Sequence, residues 1–156
     1  MSSVEDKADP WQRVPPAGRI PFKTNPRIGV PAPEQLDFDG DKEAAQLFKR
    51  SLTAARSLGA EIVEIDLAPF TEAARLLYEG PWVTERYLAT QPLIDDKPES
   101  LLAVTREIIG KGRNTTRADA FQAQYRLREL KQAADRVLAE VDLILTPTAP
   151  RIYTLS

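Results

Sequence analysis

The chain has 156 residues, of which 42% are hydrophobic and 28% are charged, and its net charge at pH 7 is −2. This composition is typical of globular proteins and lies outside the highly charged, weakly apolar class that stays disordered. The balanced charge gives no general attraction to nucleic acid, and no apolar run is long enough for a membrane span. We therefore expect a soluble, cytoplasmic protein that binds neither nucleic acid nor membrane.

The sequence contains no cysteine and no histidine. It therefore excludes disulfides, thiolate chemistry, zinc sites of the Cys/His kind and any Ser-His-Asp or Cys-His catalytic group within the chain. Proton transfer would rest on Asp, Glu, Lys or Tyr, and a triad based on lysine stays possible in principle. The residues indicate no cofactor and no metal centre.

Frequent prolines mark residues 1–26 as an extended lead-in, because each proline removes a backbone donor that a helix or a central strand would need. The segment 27–30 is the first strand candidate. Three aspartates follow it at alternate positions, but the spacing of glycine and glutamate does not fit a calcium-binding EF-hand. We expect them to form the N-terminus of a helix instead, at Asp37, Asp39 and Asp41.

A helix and a second strand come next. Apolar residues recur at helical spacing between Asp41 and Leu58, and Gly59 stops the helix. The segment 61–65 is apolar and rich in β-branched residues, which indicates a strand. A strand, a helix and a strand at this spacing predict a βαβ unit with two parallel strands.

The stretch 69–90 is predicted to be a broken helix. Its first part places apolar residues on one stripe, but Gly80 and Pro81 interrupt the pattern. A straight helix through this pair would lose roughly 3 kcal/mol, so the chain is expected to kink or restart there. On a straight helix the phenol of Tyr78 and the guanidinium of Arg86 would lie roughly 12 Å apart along the axis. A kink would let both groups converge on one small anion.

The last third of the chain predicts two more helices and a strand. A polar connection over 91–98 precedes a helix that starts at about Leu101 and ends near Gly110 or Gly112, and a capping box at Thr116 starts a long helix to about Glu140. An apolar strand over 142–146 follows, of the type that is buried on both faces of a sheet. The expected fold is α/β, an incomplete sheet with four or five helices and about three strands, at 27–30, 61–65 and 142–146.

Three segments closely resemble the allophanate hydrolases of the amidase-signature family. They are RIGVP in the first strand, LAPFTEAARLLYEGPWVTERY in the broken helix, and ADAFQAQYRLRELKQAADRVLAEVDLILTPTAP near the C-terminus. The YEGPWVTER portion is the specific part. The resemblance covers most of residues 8–153 and implies the middle to C-terminal part of an amidase domain, which we assign to 27–156.

The resemblance implies an amidohydrolase that removes ammonia from allophanate in urea degradation. Members of the family use a serine nucleophile, activated through a second serine in a cis peptide and a lysine. Those groups belong to a Gly/Ser-rich region that this sequence does not contain, so no catalytic residue is assigned. Tyr78 and Arg86 fall where the family holds its substrate, and a guanidinium suits a carboxylate. Without the resemblance, Tyr78 would be interpreted as packing and Arg86 as a solvated helix charge.

We therefore expect a fragment, or a split or truncated gene product, that carries the substrate-recognition half of such an amidase. It would bind allophanate, an anionic amide, and be inactive alone. Its expected macromolecular partners are the missing amidase segments or a second copy of the chain. Two alternatives stay open. One is a fragment of another amidase-signature enzyme, such as an amidotransferase A subunit; the other is a non-catalytic interaction module on an amidase-derived scaffold.

Overall fold

Three parallel strands form the sheet of the computed structural model, which describes residues 23–153. The strands are β1 (Arg27–Pro31), β2 (Glu61–Ile65) and β3 (Leu143–Ile144), and their order across the sheet is β2-β1-β3. In the register of β1 and β2, Ile28 lies opposite Ile62. The predicted α/β fold with its parallel βαβ unit is thereby confirmed. Most of the predicted lead-in lies outside the described residues.

The third strand is shorter than the sequence predicts. Pairing with β1 is confined to Leu143 and Ile144, and both are only half-buried rather than covered on both faces. Among residues 23–153, β3 has a single neighbouring strand, so its other edge is unpaired. Proline then ends any further pairing at Pro147, because it has no amide hydrogen to donate.

Five α-helices connect and cover these strands within residues 23–153. They are α1 (Lys42–Ser57), α2 (Ala68–Glu79), α3 (Val83–Asp96), α4 (Ala103–Gly110) and α5 (Arg117–Leu138), and short 3-10 turns occupy Pro33–Gln35, Pro98–Ser100 and Lys111–Asn114. No helix in this part of the chain is long and apolar enough to cross a bilayer.

Side-chain caps fix the starts of α1 and α5. Asp41 accepts hydrogen bonds from the amides of Glu43 and Ala44, each at 2.9 Å, which confirms that the acidic stretch forms a helix entry. Thr116 and Asp119 form the predicted capping box, with the amide of Thr116 donating to the Asp119 carboxylate at 2.8 Å. The bonds from Thr116 lower the pKa of Asp119.

The polar connection predicted over 91–98 is wrong, because α3 continues to Asp96 with Pro92 inside it. A proline inside a helix costs about 3 kcal/mol, since one backbone hydrogen bond is lost. Tertiary contacts hold the helix beyond that point. Ile94 is buried, and Asp95 is bound by groups on two elements. Packing of the helix therefore outweighs the low helix propensity of Pro92.

Side chains that are buried fall in two groups, one on the sheet and one among the helices. The first consists of Ile28, Val30, Ile65 and Val141, and the second of Val83, Tyr87, Ile94, Ala123 and Leu130. A bidentate ion pair also joins two of the helices. The guanidinium of Arg126 on α5 donates to both carboxylate oxygens of Glu72 on α2, at 2.6 and 2.7 Å. This pair orients α2, which carries Tyr78.

Gly112 allows the turn Lys111–Asn114 to touch the backbone of α3. A Cβ atom at position 112 would lie 2.7 Å from the Cβ of Tyr87 and 2.9 Å from the Cα of Thr84. Only glycine permits this approach, and the Thr84 hydroxyl donates to the Gly112 carbonyl at 3.2 Å. The contact fixes the position of the first turns of α3.

We predict that Gly112→Ala destabilises the chain by about 1–3 kcal/mol, because the added methyl must displace backbone atoms rather than a flexible side chain. Urea unfolding followed by circular dichroism measures the loss. Gly110→Ala is the matched control, since a Cβ at position 110 meets nothing within 4 Å and alanine suits a helix better than glycine. Equal midpoints for the Gly112→Ala variant and the wild type would contradict the close contact.

Candidate functional site

The helix break lies at Gly80 and Pro81, where the sequence predicts it. Helix α2 ends at Glu79 and α3 begins at Val83. Gly80 is extended, with φ −94° and ψ −174°, and its amide still donates to the Leu76 carbonyl at 3.0 Å. The chain therefore completes the last turn of α2 and then changes direction. The helix does not continue straight through Gly80 and Pro81.

Tyr78 and Arg86 come together across this break. The guanidinium carbon of Arg86 lies 5.0 Å from the centroid of the Tyr78 ring, which is a cation–π distance. One guanidinium nitrogen also donates to the Leu77 carbonyl, over a long 3.5 Å. Tyr78 is 53% exposed and Arg86 is half-buried. Two side chains from different helices thus meet at the surface. The predicted break in the helix brings them together.

The geometry leaves the guanidinium able to bind an anion. Within residues 23–153, no carboxylate forms an ion pair with Arg86. The contact with Tyr78 restricts the guanidinium, whose planar N–H groups form a fork that matches a carboxylate. The bond to Leu77 also satisfies one carbonyl at the C-terminal end of α2. Arg86 therefore stabilises the break and presents donors at the same time.

A polar network joins α3 to the turn Lys111–Asn114 and holds the helix in place. The Tyr87 hydroxyl donates to the carboxylate of Asp95 at 3.1 Å, and Arg113 from the turn Lys111–Asn114 binds the same carboxylate. The Arg113 guanidinium also lies 5.6 Å from the Tyr87 ring centroid. Sequence reasoning missed this network, because Arg113 is 18 residues from Asp95 and no local spacing links the two.

The network makes the Asp95 carboxylate more acidic than usual. Burial alone would raise the pKa of Asp95, but hydrogen bonds from Arg113, Gln91 and Tyr87 outweigh it, and the pKa is lowered. The same contacts raise the pKa of Arg113. The folded protein therefore favours the charged form of both groups, and Asp95 binds its proton more weakly in the folded than in the unfolded chain.

We predict that this carboxylate makes stability depend on pH in the acid range. Since its pKa is lowered on folding, its contribution is present above the unfolded value of about 4 and is lost as the pH falls through the folded value. The urea midpoint should therefore fall between pH 6 and pH 3, and it should fall less in Asp95→Asn. Asp96→Asn is the control, because that neighbouring carboxylate forms no ion pair within residues 23–153. Identical pH profiles for Asp95→Asn and the wild type would refute the assignment.

Two grooves lie near the carboxyl ends of the strands. A groove of about 670 Å³ separates α1 from the segment that follows β3, and a crevice of about 380 Å³ lies between that segment and α2. Neither is lined by Tyr78 or Arg86. The two predicted site residues therefore stand at the surface of the described chain and not inside a cavity.

The chain, an α/β protein with a parallel sheet, matches a known protein family over most of its length. A family model described as Amidase matches residues 3–153, so the chain belongs to the amidase family. Its similar proteins include urea amidolyases and an allophanate hydrolase. Urea amidolyase from Saccharomyces cerevisiae is 33% identical over 138 residues, and that from Lachancea kluyveri is 31% identical over 153 residues.

Solved structures agree with these sequence relatives. Kluyveromyces lactis allophanate hydrolase is 34% identical and superposes with a TM-score of 0.74 over 83% of this chain. Kluyveromyces lactis urea amidolyase gives 33% identity and a TM-score of 0.76 over the same share. The chain spans 8% of each urea amidolyase and 21% of the allophanate hydrolase. The predicted partial amidase fold and the resemblance to allophanate hydrolase are thereby confirmed.

Proposed function

We propose that this chain contributes the substrate-holding part of an allophanate-hydrolase-like amidase, in which Arg86 binds the substrate carboxylate and Tyr78 adds one hydrogen bond. The observation that carries the proposal is the cation–π contact of Tyr78 and Arg86 across the helix break. A guanidinium fork is the protein group best matched to a carboxylate, and charge-assisted bonds of this kind are about twice as strong as neutral ones.

The substrate class follows from the similarity to urea amidolyases and an allophanate hydrolase. Allophanate carries a carboxylate at one end and an amide at the other, and the reaction would release ammonia from the amide. The carboxylate is the only charged group of that substrate, so one cation is sufficient to orient it. The domain proposed for this role is 27–156, with 1–26 as its lead-in.

The chain offers substrate contacts and no assigned nucleophile. It has no histidine or cysteine, and none of its lysines lies in a Gly/Ser-rich segment of the kind that the family uses for its serines and lysine. Holding a substrate does not by itself accelerate a reaction, because catalysis needs groups that act in the transition state. We propose that the chain on its own binds allophanate-like molecules and releases no ammonia from them.

The experiment that tests the proposed function is an NMR titration of the ¹⁵N-labelled chain with malonamate, a stable isostere in which CH₂ replaces the central NH of allophanate. We expect shifts at the α2–α3 break and a dissociation constant of about 1–10 mM, as two charge-assisted hydrogen bonds of about 1.5–3 kcal/mol each allow. Malonamide, which is neutral, is the matched control probe. Equal binding of both probes, no binding of malonamate, or ammonia release from allophanate by the chain would each contradict the proposal.

A further inference from the structure

The turn before α1 is formed by an aspartate and a glycine with an uncommon backbone conformation. Asp39 has φ 49° and Gly40 has φ 76°. The amide of Asp41 donates to the Phe38 carbonyl across these two residues, at 2.9 Å. Positive φ at both central residues is typical of a type I′ turn, for which Asp-Gly is a preferred pair. The sequence contains one Asp-Gly pair and no Asn-Gly pair, so this turn is chemically distinct from the rest of the chain.

The amide of Gly40 is accessible. Both residues of the turn are exposed, and a Cβ atom at position 40 would meet nothing within 4 Å. Within residues 23–153 the Gly40 amide donates no hydrogen bond, whereas the amide of Asp39 donates to the Asp37 carboxylate at 2.8 Å. The nitrogen that follows the Asp39 side chain is therefore open to a reaction with it.

An aspartate followed by such an amide cyclises without a catalyst. The Gly40 nitrogen attacks the side-chain carboxyl carbon of Asp39, a C–N bond forms, and the amide proton leaves with the carboxyl OH as water. Water then opens the resulting succinimide ring at one of its two C–N bonds. One opening restores aspartate, and the other gives isoaspartate, in which the main chain runs through the side chain. Glycine favours the ring because its backbone rotates freely.

Other aspartates in the described chain lack these conditions. Each of them within residues 23–153 precedes a residue that carries a side chain. Asp95, Asp119 and Asp135 also lie inside α3 and α5, where a helical hydrogen bond restrains the following amide. Asp66 precedes Leu67, whose amide donates to the Gln35 side chain at 2.8 Å. The conditions for cyclisation therefore coincide at Asp39.

An ion pair restrains the carboxyl group that must react. Nε of Arg151, in the segment after β3, lies 2.9 Å from a carboxylate oxygen of Asp39. The side chain of Asp39 has to leave this pair before its carbon reaches the Gly40 nitrogen. The two side chains are 43% and 51% exposed, and an ion pair at this exposure is weak enough to open readily.

We propose that Asp39 is a site of spontaneous isomerisation to isoaspartate and that its ion pair with Arg151 slows the reaction. Isoaspartate lengthens the main chain of the turn by one carbon atom, two residues before Asp41, which caps α1. Its carboxylate is attached directly to Cα, one carbon nearer the main chain, so the contact with Arg151 is lost. The modification therefore releases the segment after β3 from the start of α1.

Incubation of the purified chain in water enriched in ¹⁸O tests the proposal, because each passage through the succinimide transfers one solvent oxygen to the aspartate. Trypsin then releases residues 28–42 as one peptide, in which fragmentation by mass spectrometry locates the label and the isoaspartate. Asp37 and Asp41 lie in the same peptide and are the internal controls. We expect label and isoaspartate at Asp39 alone. An unlabelled Asp39, or equal labelling at all three positions, overturns the site.

The Arg151→Gln variant tests the restraint. Glutamine removes the charge, and the loss of an exposed ion pair should make labelling of Asp39 about 1.5–5-fold faster than in the wild type. Arg128→Gln is the matched control, because Arg128 is exposed and forms no ion pair within residues 23–153. It should label at the wild-type rate. Equal rates in Arg151→Gln and the wild type would contradict the role of the ion pair.

Discussion

Replacing Arg86 with lysine should weaken malonamate binding by at least about tenfold and leave the fold intact. Lysine keeps the positive charge and the helix propensity, but it is a point charge that cannot bind both carboxylate oxygens as a planar fork. A hydrogen bond to a charged group contributes about 1.5–3 kcal/mol, which corresponds to a factor of about 10–150. The NMR titration measures the loss directly.

A control variant separates this effect from that of replacing any exposed arginine with lysine. Arg128→Lys on α5 makes the same replacement at an exposed arginine, and it should bind malonamate like the wild type. The competing interpretation is that Arg86 only caps the last turn of α2 through the Leu77 carbonyl. Under that interpretation Arg86→Lys would change the urea midpoint and leave the dissociation constant unchanged, which would contradict a substrate role.

Gly80→Ala should both destabilise the chain and separate Tyr78 from Arg86. A Cβ atom at position 80 would lie 2.5 Å from the Leu76 carbonyl oxygen, well inside van der Waals contact. Either the last turn of α2 unwinds or the chain leaves the helix in another direction. We expect a loss of about 1–3 kcal/mol in the free energy of unfolding, because a backbone atom has to move.

The same variant should lose malonamate binding at temperatures where it is still folded, since the cation–π contact depends on the path of the chain through the break. Circular dichroism and the NMR titration on one sample measure both effects. Gly110→Ala again serves as the control and should change neither. A Gly80→Ala variant with normal stability and normal affinity would show that the break does not depend on glycine.

Sequence reasoning predicted the elements whose causes are local. The caps at Asp41 and Thr116, the glycine that ends α1 and the break at Gly80 all follow from backbone chemistry within a few residues. The meeting of Tyr78 and Arg86 follows from the same break, because a kink is the one local event that brings residues eight apart together. Their role in binding substrate stays a prediction.

The features that the sequence did not predict depend on contacts between distant residues. Helix α3 continues through Pro92 because Ile94 is buried and Asp95 is bound by Arg113 from the turn Lys111–Asn114. A local rule for proline does not include such contacts. Strand β3 pairs with β1 only at Leu143 and Ile144, although its apolar run is longer. The crevice between α2 and the segment after β3 is formed by residues at the ends of three strands that are far apart in the sequence.

The most direct test of the central claim is a double-mutant cycle of Tyr78→Phe and Arg86→Gln, read out as malonamate affinity by NMR titration. If the two side chains hold one carboxylate together, the two losses are not additive, and a coupling free energy of about 0.5–3 kcal/mol is expected for groups in contact. Additive losses, or a Tyr78→Phe variant and an Arg86→Gln variant that both bind malonamate like the wild type, would contradict the account.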